Sequence, residues 1–144
     1  MPSLYTDIEI RAPRRTVWQT LIRKEEWLRW NTYLYDLSPP QPFRENTAVR
    51  LSLKRTPRET ETEIEPLVTL VQPGSSLQWI YSAPGFRSEH SFELQDMGGD
   101  RTRYTHVVRF TGRLVAIFLP FVRKDELQGM RRMAQELRRY VERR

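Results

Sequence analysis

The sequence closes on one long helical pattern, and most of what precedes it reads as strand. From Gly112 onward the spacing predicts a helix to near the C-terminus. Met130, Met133, Leu137 and Val141 form its apolar stripe, with Arg131, Arg132, Arg138 and Arg139 beside it. A helix of that kind must lay its stripe on an apolar surface, and the only such surface upstream is a set of alternating segments. Few architectures satisfy both. The expected class is α+β: one curved antiparallel sheet of about seven strands wrapped around a long C-terminal helix. Whatever volume the helix does not fill becomes a largely apolar cavity.

The strand segments carry period-two patterns. Leu4 to Ile10 alternates and is the first strand. Ala12-Pro13 then opens a helix whose buried face holds Val17, Trp18, Leu21 and Ile22, and a short helical segment follows from Lys24 to Trp30. Tyr33 to Leu37 and Thr47 to Lys54 are the second and third strands, joined by the proline-rich stretch 38–42. Thr60 to Val71 is expected as one long strand with a bulge or an edge position at Pro66. Leu77 to Ala83 follows. Phe86 to Asp96 and Arg101 to Phe110 then flank Met97-Gly98-Gly99-Asp100, a hairpin signature. Pro120 is expected to divide or kink the final helical region.

The chain has 144 residues, one domain's worth, and its 38% hydrophobic content is enough to build a core rather than a disordered chain. There is no cysteine, which excludes disulfides, thiol nucleophiles and thiolate metal sites and fits a cytoplasmic protein. The N-terminus lacks a basic region followed by an apolar run, so no signal peptide is read. The longest apolar stretch, Leu114 to Val122, is far short of the roughly 20 residues that span a bilayer. It reads as a buried segment that gates a pocket mouth, or as an apolar contact surface. The net charge is +6, but acidic residues are interleaved along the chain, which argues against nucleic-acid binding. The arginines of the last helix read as a solvated face, with peripheral contact to an anionic membrane as the competing role. A monomer or weak dimer is expected.

Several stretches, in this order and spacing, resemble the START-like (SRPBCC) helix-grip superfamily over nearly the whole chain, and more narrowly its polyketide cyclase/dehydrase branch. Ile8-Glu9-Ile10-Arg11-Ala12-Pro13 with Val17-Trp18 is similar to the superfamily's first strand and helix start. Trp27-Leu28-Arg29-Trp30-Asn31 resembles its Trp-Asn signature. Val68 to Gly74 with Leu77-Gln78-Trp79, then Glu89 to Leu94 and Thr105 to Gly112, resemble the central strand pair and last hairpin. The resemblance implies binding of lipids, polyketides or other apolar molecules. It leaves three roles open: a carrier or sensor, a cyclase or dehydratase, and a protein-interaction module of the chaperone-cofactor type.

The two histidines carry the most chemistry. His90, Phe92 and Leu94 share a face of one hairpin strand, and Tyr104, His106, Val108 and Phe110 share a face of the other. Both histidines therefore point to the apolar side. A hairpin centred on Gly98 would pair His90 with His106 and Phe92 with Tyr104, about 5 Å apart at Cβ. A loop of even length would break that register and send one histidine outward. His90, His106 and Tyr104 are thus the candidate catalytic set; like-charge repulsion and partial burial favour neutral forms of the paired histidines, and a neutral imidazole can act as base or hydrogen-bond partner to a carbonyl or phenol. Ordinary settling of the sheet is the alternative role for all three. The candidate ligand wall adds Trp79, Tyr81, Phe86, Phe92 and Phe110 from the strands, and Phe118, Met130 and Met133 from the helix, although aromatics and methionines pack plain cores equally well. No metal site is expected, because the Glu61, Glu63, Glu65 row alternates against Thr62 and Ile64 and so faces water. No nucleophile elbow, phosphate loop or dinucleotide fingerprint is present, so no cofactor is expected and any catalysis would be acid–base work.

Overall fold

A computed structural model describes residues 2–36 and 42–143. Leu37 and the proline-rich stretch as far as Gln41 lie outside the described residues. The strands are β1 (Ser3–Ile10), β2 (Leu34–Asp36), β3 (Thr47–Ala48), β4 (Leu51–Leu53), β5 (Thr62–Ile64), β6 (Leu67–Gln72), β7 (Ser76–Ala83), β8 (Phe86–Gly98) and β9 (Arg101–Thr111). The helices are α1 (Arg14–Ile22) and α2 (Val115–Glu142), with a 3-10 segment at Lys24–Arg29.

The main sheet is antiparallel, in the order β1-β9-β8-β7-β6-β3. It has six strands rather than seven. The missing strand is the expected second one, which leaves the main sheet and pairs with β4 as β2, and two further expected strands divide between the sheets. Thr47 to Lys54 splits, giving β3 to the main sheet and β4 to a separate three-stranded sheet, β2-β4-β5. Thr60 to Val71 splits at Glu65-Pro66, because Pro66 donates no ladder hydrogen bond. Its first half joins β4 as β5 and its second half joins β7 as β6. Leu34, Leu53 and Ile64 of the small sheet line one interior space with Trp79, Tyr81 and His90 of the large sheet and with Val122 and Glu126 of α2.

The periodicity places the core. In β9 the even-numbered residues from Thr102 to Phe110 are buried, and in β8 Ser88, His90, Phe92 and Leu94 face the same way. Trp27, Trp79, Phe92, Met130, Met133 and Leu137 are all fully buried between sheet, helices and 3-10 segment. Trp79 is the hub of this packing, with ring centroids 4.8 Å from Phe92, 5.8 Å from Phe43 and 6.3 Å from Trp27.

The α2 helix runs unbroken from Val115 to Glu142 with Pro120 inside it, so the proline does not divide it. Gly129 sits in its middle for a steric reason. A Cβ there would lie 2.5 Å from Cδ1 and 2.7 Å from Cε1 of the fully buried Tyr33 ring. Alanine normally stabilises a helix interior relative to glycine by about 1 kcal/mol. Here the sign should reverse. Gly129→Ala is expected to cost about 1–2 kcal/mol by pushing Tyr33 off the helix, and a denaturation midpoint at or above wild type would refute this.

Candidate functional site

The hairpin turn lies at Gly99-Asp100, whose φ values are 62° and 57°. Two positive φ values suit a two-residue turn that follows the twist of the strands. A bulge between Asp96 and Gly98 takes up the extra residue, and the Asp96 carboxylate accepts the Gly98 N–H at 2.9 Å. The register is consequently displaced by two residues from a hairpin centred on Gly98. His90 stands opposite Val108, Phe92 opposite His106 and Leu94 opposite Tyr104. A shift of two preserves the faces, so both histidines still point inward. They sit diagonally, and their rings meet: His90 Nδ1 lies 3.0 Å from His106 Nε2. Phe92 stacks on His106 at 4.1 Å, and Trp79 lies 5.5 Å from His90.

Burial governs the protonation of this pair. Desolvation drives His90 down to about 4, with Arg55 pushing the same way and Glu126 opposing. His106 is held well below the usual imidazole range by burial and by His90. Both rings are neutral at pH 7, so the single shared hydrogen bond has one donor and one acceptor. His106 has no exposed surface and its Nδ1 has no partner, whereas His90 retains 7% exposure. His90 is therefore the member of the pair that meets the cavity, through the ring nitrogen His106 does not occupy.

Around His90 stands a second cluster that the sequence reading passed over. Glu126, buried on α2, accepts a hydrogen bond from the Tyr33 hydroxyl on Oε1 and from Arg55 Nε on Oε2, the latter at 2.6 Å. Arg55 also reaches Glu59 at 3.3 Å. Burial would lower the Arg55 guanidinium, but Glu126, Tyr33 and Glu59 together outweigh it and hold it above its ordinary value. The Tyr33 phenol is pushed well up by burial and by Glu126. Arg132 braces the segment from outside, donating to the backbone oxygens of Lys54 at 2.8 Å and Arg55 at 3.1 Å. It is a structural clamp, not one of the purely solvated arginines expected on this helix.

These groups share one cavity. An inner chamber of about 90 Å³ is lined by Tyr33, Arg55, Trp79, His90 and Glu126 at polar points, and by Leu53, Ile64, Phe86, Phe110 and Val122 on apolar ones. An adjoining outer groove, about 390 Å³, is lined by Pro84, Leu114 and Phe118 and shares Arg55, Tyr81, Phe86 and Val122 with the chamber. Of the ligand wall expected from sequence, Trp79, Tyr81, Phe86, His90 and Phe110 reach the inner chamber and Phe118 reaches the outer one. Phe92, Tyr104 and His106 are buried behind that wall, and Met130 and Met133 lie in the core under α2. Tyr104 keeps a buried hydroxyl without a partner, and burial pushes its phenol far up. Among the described residues no group of three or more His, Asp and Glu is placed to hold a metal ion. The Glu61, Glu63, Glu65 row is exposed, and Arg50 pairs with Glu63 and Glu65.

No family model matches the sequence, and no curated protein matches it. Solved structures do match the fold. A START superfamily protein from Mycobacterium smegmatis is 17% identical, with 98% of this chain and 97% of that chain covered at a TM-score of 0.75. Norcoclaurine synthase from Thalictrum flavum is 14% identical, with 99% and 87% covered at 0.69. DynU16, a protein of the dynemicin biosynthetic locus, is 18% identical over 97% of this chain but only 47% of its own, at 0.68. The chain therefore has the START-like helix-grip fold.

Proposed function

We propose that this domain binds a small apolar molecule carrying one polar head, as a carrier or sensor. The observation that carries the reading is the adjacency of two unlike spaces, an inner chamber with His90, Tyr33, Glu126 and Arg55 in its wall and an apolar groove that shares Arg55, Tyr81, Phe86 and Val122 with it. The groove alone falls in the roughly 300–1,000 Å³ range of small-molecule sites. The inner chamber is too small for a whole ligand of that size and suits a hydroxyl, carbonyl or phenol at its tip. A neutral His90 offers such a group one hydrogen bond, and Arg55 can donate another.

A second reading has its own support. The neutral His90–His106 pair can take a proton at the cavity-facing nitrogen, and Glu126 and Tyr33 stand within the same chamber. That set would suffice for enolisation, cyclisation or dehydration without a cofactor. One of the fold's neighbours is named as a synthase and another comes from a biosynthetic locus.

Native mass spectrometry of the gently purified protein, with extraction of anything released, tests both readings. A stoichiometric apolar molecule that survives prolonged incubation supports the carrier, and one that is converted supports the enzyme. Val122 lines both spaces, so Val122→Trp should block the passage and lower affinity at least tenfold. Losing the His90 hydrogen bond in His90→Ala should cost about 1 kcal/mol, roughly fivefold in affinity. An empty wild-type protein that also ignores a panel of fatty acids, flavonoids and polyketides would overturn the proposal and favour an interaction module.

A further inference from the structure

The first turns of α2 expose apolar side chains that the cavity does not use. The sequence reading favoured burial for Leu114 to Val122, but only Val115 and Leu119 are buried. Ile117 is 61% exposed, Phe118 48% and Phe121 82%. Helical spacing sorts them. Leu114, Phe118 and Val122 recur every four residues and turn toward the mouth of the outer groove. Ile117, Phe121 and Lys124, at i, i+4 and i+7, share the face beyond it. Phe118 joins the two, so the exposed ridge is the rim of the cavity mouth.

The charge along this stretch is one-sided. From Arg101 to Lys124 the chain contains no Asp or Glu. Exposed Arg113, Arg123 and Lys124 bracket the ridge. The first acidic residue after it, Asp125, is half-buried, and Glu126 is turned inward to Tyr33 and Arg55. Isolated exposed apolar residues need no explanation, but a contiguous ridge bracketed by cations marks a contact surface.

We propose that this ridge docks on an anionic lipid bilayer. Ile117 and Phe121 enter the boundary between headgroups and acyl chains, and Arg113, Arg123 and Lys124 meet the lipid phosphates. A bilayer of this kind offers both chemistries side by side, which the pairing of apolar ridge and basic flanks requires. The arrangement brings the cavity mouth to the membrane plane, where an apolar molecule could pass without crossing water. That transfer role rests on the ligand-binding reading above, whereas the docking itself does not. The surface lies at the opposite end of α2 from the C-terminal arginines considered from sequence.

Vesicle flotation tests it, using phosphatidylcholine vesicles with and without 30% phosphatidylglycerol and no added ligand. Wild type should float with the anionic vesicles at 20 mM salt, with binding reduced at least tenfold at 500 mM salt. I117S/F121S should lose binding at least tenfold while keeping its melting temperature and native mass. R123E/K124E should lose the preference for anionic vesicles. Ignored vesicles, or unchanged binding by I117S/F121S, would overturn the proposal. So would a concentration-dependent dimer abolished by I117S/F121S, which would make the ridge a self-association surface. Cavity occupancy is read separately in the same variants by native mass spectrometry, so an empty cavity with intact vesicle binding overturns only the ligand reading.

Discussion

Lowering the pH from 7 to 5 is expected to cost the protein about 2 kcal/mol through His90 alone. In the unfolded chain this imidazole titrates near 6.5, and in the folded protein burial takes it down to about 4. Between those values the unfolded state binds the proton and the folded state does not. Stability is therefore full above pH 6.5, falls as the pH drops toward 4, and stops falling on this account below that. His106 adds in the same direction, because it too is held low by burial and by its neighbour. The window from 6.5 to 5 is diagnostic, since ordinary carboxylates remain ionised through most of it. Urea denaturation at several pH values measures the effect, and the double variant H90Q/H106Q should flatten the profile. The chain has only two histidines, so their imidazole proton resonances give an independent readout. Neither should titrate between pH 8 and 5; two resonances moving with midpoints near 6.5 would show that the pair is hydrated and the chamber is not dry.

Glu126→Ala is expected to destabilise the fold by about 3 kcal/mol, lowering the melting temperature by about 10 °C. The carboxylate satisfies two groups at once, the fully buried Tyr33 hydroxyl and the Arg55 guanidinium. Removing it strands both. The cost falls at the lower end for a buried ion pair because Arg55 remains 28% exposed and keeps Glu59 as a second partner. The apolar replacement Y33F/R55M/E126L carries the sharper expectation. Its stability should return to within about 1 kcal/mol of wild type, because no desolvated polar group is left unpaired. Ligand binding should not return with it. Chemical denaturation and ligand titration on the same three proteins separate the two quantities. Full recovery of binding in the apolar variant would mean that the cluster serves the fold alone.

Much of this architecture could be read from the residues. The alternation in β1, β8 and β9 fixes which side chains face inward, because period two is a property of the extended chain and needs no tertiary information. The apolar stripe of the last helix likewise follows from helical geometry. The inward orientation of His90 and His106 survived an error of two residues in the register, since only an odd shift changes the face. The turn itself was misjudged because Gly98, Gly99 and Asp100 can all adopt positive φ, and local composition does not say which two will close the hairpin.

The Glu126 cluster was overlooked although the sequence holds a sign of it. Leu119, Val122, Glu126, Met130, Met133 and Leu137 recur at spacings of three and four, so the carboxylate occupies a slot in the apolar stripe. A lone acid in such a stripe must either be paired or leave the core. Its partners could not be named, because Tyr33 and Arg55 lie 93 and 71 residues away along the chain. Residue type, period and sequence order determined the helix-grip fold, its inward faces and the histidine hairpin, because each depends on local geometry. The meeting of Tyr33, Arg55, His90 and Glu126 around one chamber, and the exposure of the α2 ridge beside its mouth, were decided only by tertiary packing. Both depend on which distant surfaces come to cover one another, and no local rule contains that.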